Sequence, residues 1–185
     1  MQDSQGKYTV ITGASSGIGY ATAKAFAKRG ENLIVIARRT KNLERLKHEI
    51  TDENSALKVI IKTVDLSVSE NVHRLYQELN EYEIKTWINN AGFGNYDSVA
   101  HQDLKKIEAM LRLNVEAMTI FSTLYVHDYQ NVRGTQLINI SSAGGYTIVP
   151  TAVTYCAESK CRIASKGFST CGNGNRIWES SQRCK

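Results

Sequence analysis

The chain has 185 residues, of which 42% are hydrophobic and 22% are charged, and its formal net charge is +5. This composition is typical of a single globular domain and excludes disordered and fibrous classes. No apolar run reaches the roughly 18 residues that a membrane span needs, and the N-terminus lacks the basic start and apolar stretch of a secretory signal. We therefore expect a cytoplasmic protein.

The positive charge is concentrated near the C-terminal end. Residues 1–155 carry 17 basic and 16 acidic side chains, whereas residues 156–185 carry six basic and two acidic ones. The surplus of positive charge therefore does not form a surface of the domain that could bind a phosphate backbone, and we expect no nucleic-acid partner. All four cysteines lie in the same last 30 residues, with no C-x-x-C pair and no histidine between them. The sequence therefore predicts no metal site.

Short β-rich runs alternate with longer helical patterns, as in βαβ units that form a parallel sheet. Residues 33–36 (Leu-Ile-Val-Ile) are continuously apolar, which is typical of a parallel strand buried on both faces. Right-handed crossovers then predict a Rossmann-like, doubly wound α/β fold of three layers, α/β/α. We predict strands near residues 8–12, 33–37, 57–64, 86–89 and 136–140, and helices at about 17–29, 41–53, 69–82, 104–129 and from 153 onward.

The first predicted strand runs into a glycine-rich turn that is followed directly by a helix. Residues 12–19 read Thr-Gly-Ala-Ser-Ser-Gly-Ile-Gly. Glycines allow a tight turn and a close approach of the backbone to a ligand, and the helix N-terminus attracts a pyrophosphate. A turn that binds nothing is the alternative, but the strand before and the helix after favour nucleotide binding. The candidate cofactor-binding residues of this loop are Gly13, Ser15, Ser16, Gly17, Ile18 and Gly19.

Two arginines, Arg38 and Arg39, follow the second predicted strand. In dinucleotide-binding folds an acidic residue here bonds the ribose 2′-hydroxyl of NAD, whereas an arginine accommodates the 2′-phosphate of NADP. No Asp or Glu lies between Leu33 and Lys41. The sequence therefore favours NADP(H) over NAD(H), and the alternative is a pair of solvated arginines at a helix start.

Several later motifs follow the glycine loop in a recognisable order. Residues 12–19, the sequence Asn-Asn-Ala-Gly at 89–92, Asn114, Ser142 and Tyr155 together resemble the classical short-chain dehydrogenases/reductases, from about residue 7 to Tyr155. The resemblance implies an oxidoreductase that binds NAD(P)(H) and interconverts a small alcohol and a ketone or aldehyde. It also implies an adenine contact for Asp65 and a position beside the cofactor for Asn90, Ala91 and Gly92.

The candidate catalytic residues are Asn114, Ser142, Tyr155 and Lys160. The resemblance implies that Ser142 bonds the substrate oxygen, that Tyr155 transfers the proton and that Asn114 holds a water and orders the lysine. Serines at strand ends are also turn formers or helix caps, and Asn114 is alternatively a core amide that ties its helix to a loop. Asn114 falls on an inward-facing apolar stripe that we predict for residues 104–118, made of Leu104, Ile107, Leu111, Val115 and Met118.

The lysine departs from the family's Tyr-x-x-x-Lys spacing. Residues 155–160 read Tyr-Cys-Ala-Glu-Ser-Lys, so Ser159 occupies position i+4 and Lys160 position i+5. One extra residue turns a side chain by about 100° around a regular helix. Lys160 is then a solvated lysine, unless a single π-helical turn absorbs the extra residue.

Helical periodicity is lost beyond about residue 163, so we predict a Rossmann domain of residues 1–160 and an atypical tail, 161–185, of loop or disorder. A reading-frame shift would produce the coincident changes near 156–160, and resequencing of the gene tests this hypothesis. Family members continue with strands that complete the sheet and enclose the substrate. We therefore expect a sheet that is incomplete at its C-terminal end, impaired activity and a weakened homo-oligomer. A non-catalytic Rossmann remnant that binds a nucleotide or a partner is the alternative function.

Overall fold

The computed structural model of the chain describes residues 6–97, 99–147 and 149–164. Five strands form one sheet: β1 (Lys7–Thr12), β2 (Asn32–Ala37), β3 (Val59–Thr63), β4 (Glu83–Asn89) and β5 (Gln136–Asn139). The main helices are α1 (Gly17–Lys28), α2 (Thr40–Glu53), α3 (Ser69–Glu78), α4 (Leu104–Leu111), α5 (Met118–Tyr129) and α6 (Val153–Ala164). These elements match the predicted strands and helices closely, and α6 extends four residues into the predicted tail. The rest of that tail, 165–185, lies outside the described residues.

The sheet is entirely parallel, with the strand order β3-β2-β1-β4-β5. The chain therefore moves outward from β1 to β3 and then crosses back to place β4 on the other side of β1. This reversal is the topological switch point of a doubly wound fold, and ligands bind there, beyond the carboxyl ends of the strands. The predicted Rossmann-like fold is confirmed.

Two apolar clusters cover the two faces of the sheet, and both depend on the continuous apolar strands. Leu33, Ile34, Val35 and Ile36 of β2 are completely buried, as the sequence predicted for a strand covered on both faces. One cluster packs Trp87 of β4 against Phe121 and other residues of α3 and α5, and the second packs β1 and β2 against α1 and α2. Helices on both faces give the three-layer arrangement.

The predicted helix at 104–129 contains a π-helical turn, Arg112–Ala117, between α4 and α5. This turn changes which side chains face the core, because a π turn holds more residues than an α turn. Asn114 is buried as predicted, but Leu104 and Leu111 are exposed, so the predicted inward-facing stripe is wrong at these two positions. Met110, Ala117 and Phe121 fill the core in their place.

None of the helices in the described part of the chain is long and apolar enough to cross a membrane. Within residues 6–97, 99–147 and 149–164, no three His, Cys, Asp or Glu side chains come together in a group that could hold a metal ion.

Candidate active site

A cleft runs across the carboxyl ends of the strands at the topological switch point. It consists of two adjoining cavities of about 150 Å³ and about 350 Å³, and both are lined by Gly13, Ser16, Ala91 and Gly92. We call the part lined by residues 13–16, Arg38, Arg39 and Asp65 the glycine-loop end. The part lined by Gly94, Ser141 and Tyr155 is the tyrosine end. The structure thus brings candidate residues that follow β1, β2, β3 and β4 to one cleft, together with Tyr155 of α6.

The glycine loop packs against the turn after β4 so closely that side chains are excluded. Gly13 has a φ of +71°, and a Cβ atom on it would lie 2.7 Å from Ala91 Cα and 2.9 Å from Asn90 Nδ2. A Cβ on Gly19 would also collide with Asn90 Nδ2. This nitrogen is held in place because it donates to the Thr12 carbonyl at 3.0 Å. The glycines are therefore required for the contact between the first and fourth strand ends.

Thr12 is a positioning residue that the sequence analysis did not single out. Its buried Oγ1 accepts hydrogen bonds from the backbone N–H groups of Asn90 and Ala91, both at 3.0 Å. The same hydroxyl donates to the Ile88 carbonyl at 3.3 Å. A threonine at the last position of a buried strand, directly before the glycine loop, is the signal that could have identified it.

Arg39 binds the two serines of the glycine loop. Its Nη2 donates to Ser16 Oγ at 2.6 Å and to Ser15 Oγ at 3.0 Å, and its Nε lies 3.2 Å from the same Ser15 oxygen. Ser16 is the N-cap residue of α1 but makes no side-chain bond to the helix. The first N–H groups of an α-helix have no intrahelical partner, so those of α1 face the cleft as donors.

Asp65 lies on the opposite wall of the glycine-loop end. Its Oδ1 accepts bonds from Ser67 N at 3.0 Å and Ser67 Oγ at 2.7 Å, and Arg38 Nη1 lies 4.0 Å from its Oδ2. Partial burial raises the pKa of the Asp65 carboxyl, but the hydrogen bonds from Ser67 and the charge of Arg38 outweigh this effect and lower the pKa. Asp65 is therefore ionised at neutral pH.

Asn114 is fully buried in the π-helical turn, and its amide is saturated by protein groups. Its Oδ1 accepts from Phe93 N at 3.1 Å, and its Nδ2 donates to Phe93 O at 2.7 Å and to Glu158 Oε1 at 3.0 Å. Asn114 therefore ties its helix both to the loop after β4 and to α6. The sequence predicted the burial and the loop contact, but it did not identify Glu158.

Ser142 and Tyr155 meet at Gly144 in the tyrosine end. A Cβ atom on Gly144 would lie 3.3 Å from Tyr155 Cε1 and 3.5 Å from Ser142 Oγ. Ser142 caps a short 3-10 helix, Ala143–Gly145, by accepting the Gly144 N–H at 3.1 Å. This bond uses an oxygen lone pair of Ser142, so the hydroxyl hydrogen is left for another acceptor. The ring of Tyr96 lies 5.8 Å from that of Tyr155, and Tyr96 is largely exposed.

Lys160 does not share the buried face of α6. The helix is α-helical over Val153–Ala164, and the π-helical turn seen among the described residues lies at Arg112–Ala117 instead. The structure therefore does not use a π turn to absorb the extra residue after Tyr155. Ser159, at i+4 from Tyr155, is buried, whereas Lys160 is exposed.

The sequence model of a family described as short chain dehydrogenase matches residues 7–171. The chain belongs to this family. An uncharacterized oxidoreductase of Mycobacterium tuberculosis is 33% identical over 163 residues, which cover 86% of this chain and 64% of the relative.

Solved structures agree with this assignment. The bulky-bulky ketone specific alcohol dehydrogenase from Comamonas testosteroni superposes with a TM-score of 0.80 at 26% identity, over 85% of this chain and 63% of that one. A short-chain dehydrogenase from Sphingobium yanoikuyae in complex with NADPH gives the same TM-score at 28% identity, over 85% of this chain and 62% of that one. The chain therefore spans slightly less than two thirds of these family members.

Proposed function

We propose that the chain is an NADP(H)-dependent oxidoreductase that interconverts an alcohol and a ketone or aldehyde. The observation that carries the proposal is the cleft at the switch point, with the glycine loop and Arg39 at one end and Tyr155 at the other. Ser142 lies near the Tyr155 ring, since both are close to Gly144. Family membership supports the reaction class, since the relative from Comamonas testosteroni is an alcohol dehydrogenase.

The residues at the glycine-loop end fit a dinucleotide. Gly13 and Gly19 carry no side chain where the loop packs against Asn90, and the α1 N-terminus offers N–H donors to a pyrophosphate. Asp65 and the segment Asn90-Ala91-Gly92 would flank the adenosine and the middle of the cofactor. When bound, the cofactor supplies or accepts the hydride.

The preference for NADP(H) is proposed from the arginines. Arg39 is already bonded to two serine oxygens, and a phosphate offers the same kind of oxygen acceptor with negative charge. Arg38 lies beside the same cavity with a largely exposed side chain. No acidic residue follows β2 to bind a ribose 2′-hydroxyl in place of the phosphate.

The tyrosine end would hold the carbonyl or alcohol group of a small substrate. Ser142 is proposed to donate its hydroxyl hydrogen to the substrate oxygen, and Tyr155 to transfer a proton to or from that oxygen. The family resemblance also implies catalytic roles for Asn114 and Lys160, but the structure exposes Lys160 on α6. The weakened homo-oligomer stays a prediction.

A substrate screen tests the reaction class. The chain is mixed with NADPH and a panel of ketones and aldehydes of increasing size, and oxidation of the cofactor is followed by absorbance. We expect turnover of at least one carbonyl compound, and its loss in Tyr155→Phe with NADPH affinity retained. Turnover that survives in Tyr155→Phe would contradict the assigned role.

One observation favours the non-catalytic alternative, namely the exposed position of Lys160. Under that alternative the chain binds NADPH but oxidises it with no member of the panel. Calorimetric binding together with the screen therefore distinguishes the two functions.

A further inference from the structure

The register of α6 decides which side chains accompany Tyr155. On an α-helix the neighbours of a residue are those three and four positions away, and the fifth lies about 140° around the axis. The neighbours of Tyr155 toward the C-terminus are Glu158 and Ser159, an acid and a neutral residue. The described part of α6 therefore presents no cation one turn after the tyrosine.

Both neighbours are held in place by buried contacts. Glu158 is 2% exposed, and its Oε1 accepts from Asn114 Nδ2 at 3.0 Å and from Ser159 Oγ at 3.3 Å. Ser159 is fully buried, and its carbonyl accepts from Ser141 Oγ at 3.1 Å. Since Ser141 lines the tyrosine end of the cleft, this bond joins the backbone of α6 at position 159 to that end.

The charge at these positions matters for proton transfer by a phenol. A free phenol has a pKa of about 10, so at pH 7 it releases its proton rarely. A cation one turn away from a phenol favours release of that proton. Glu158 places a carboxyl group on this side of α6, and Lys160 lies on the exposed side.

We propose that Glu158 is a positioning residue that fixes the register of α6 through Asn114 and thereby keeps Lys160 out of the active site. The chain then binds the dinucleotide but transfers the proton slowly. Only the kinetic part of this inference rests on the proposed function. The register of α6 is a property of the chain without cofactor or substrate.

Chemical labelling of lysines tests the register without any turnover. The intact chain is treated with a water-soluble acetylating reagent, and the rate at each lysine is read by mass spectrometry, with and without NADPH. Lys160 is expected to react as fast as the exposed Lys28 and Lys47, and NADPH is expected to leave that rate unchanged. A Lys160 that reacts at least about tenfold more slowly, or that NADPH protects, overturns the proposal.

Two variants that move the lysine test the kinetic part. The exchange Ser159→Lys with Lys160→Ser keeps length and composition and places the amine at i+4, beside the Glu158 carboxylate. Deletion of Glu158 reaches the same spacing by shortening the helix. In both, the lysine at position i+4 is expected to label at least about tenfold more slowly than Lys28, and turnover is expected to rise at least about tenfold.

The matched control is Ser159→Gln, which adds bulk without charge and is expected to give no gain in turnover. Folding is checked by circular dichroism and NADPH binding by calorimetry. A lysine variant that folds and binds NADPH but gains no turnover with any ketone of the panel overturns the proposal, as does an equal gain in Ser159→Gln.

If both lysine variants fail to fold, labelling of Lys160 in the unaltered chain still decides. If that chain does not bind NADPH, the proposed function fails, while the labelling result stands.

Discussion

The two ends of the cleft differ in how their residues are held. At the glycine-loop end, Gly13 and Gly19 pack against Asn90, and Arg39 binds the loop serines, so each of these residues is held by its neighbours. At the tyrosine end, Ser142 and Tyr155 meet at Gly144, but the residue one turn after Tyr155 is a buried serine.

Under the proposed function, cofactor binding and proton transfer therefore depend on separate parts of the sequence. The glycine-loop end is built from strand ends whose positions the sheet fixes. The tyrosine end depends on a single helix, where one residue changes the face on which a side chain lies. A chain can therefore keep a cofactor site while its proton-transfer group is displaced.

The largest expected effect is at the contact between β1 and β4. Gly13→Ala requires a left-handed conformation of a residue with a side chain and places its Cβ 2.7 Å from Ala91 Cα. We expect a loss of at least about 3 kcal/mol in the free energy of unfolding, together with loss of NADPH binding. The measurement is urea denaturation followed by circular dichroism.

Its matched control is Gly30→Ala, since Gly30 has a φ of +79° but no atom within 4 Å of a built Cβ. The control should lose about 1 kcal/mol in the free energy of unfolding, from the backbone conformation alone. Equal losses in the two variants would contradict the close contact at Gly13.

A second, smaller effect is expected where the π-helical turn meets α6. Asn114→Ala leaves the Phe93 backbone groups and Glu158 without their amide partner. We expect a loss of about 2 kcal/mol in unfolding free energy. Asn54→Ala, at an exposed helix end, should lose no more than about 0.5 kcal/mol. If Asn114→Ala were no more costly than this control, the amide would not be what ties α6 to the loop after β4.

The cofactor preference gives a third effect, confined to the glycine-loop end. Arg39→Ala should lower the affinity for NADPH about tenfold, or about 1.4 kcal/mol, and leave the affinity for NADH unchanged. Arg45→Ala is the control, because Arg45 is exposed on α2 away from the cleft lining. Equal losses of affinity for NADPH and NADH in Arg39→Ala would show that the arginine does not bind the 2′-phosphate.

The smallest effect is the pH dependence at Asp65. Because the pKa of this carboxyl is lower in the folded chain than in the unfolded one, the carboxylate contributes stability above about pH 4, and the contribution is lost as the pH falls through the folded-state value. Asp65 is partly exposed, so we expect less than about 1 kcal/mol. Urea denaturation at pH 6 and pH 3 should show that Asp65→Asn loses less unfolding free energy on acidification than the unaltered chain does. An identical loss in the two proteins would refute this.

The fold and the glycine loop were predictable because their signals are local. A continuous apolar run such as residues 33–36 specifies a doubly covered strand, and a strand–glycine–helix succession specifies the turn. The exposure of Leu104 and Leu111 was not predictable, because the inward-facing stripe was predicted from a regular helical period. The π-helical turn at Asn114 interrupts that period.

Glu158 was hidden for a related reason. A charged residue inside a helix is ordinarily solvated, and the sequence does not show that Glu158 meets the buried Asn114 amide, 44 residues away along the chain. The displaced spacing of Lys160 is visible in the sequence, but it left two helix geometries open. The regular α6 of the structure is the geometry that places Lys160 outward.

Isothermal titration of the unaltered chain with NADPH and with NADH tests the central claim most directly. An intact glycine-loop end predicts saturable binding at one site, at least about tenfold tighter for NADPH than for NADH. A folded sample that binds neither dinucleotide, or that prefers NADH, would contradict the account.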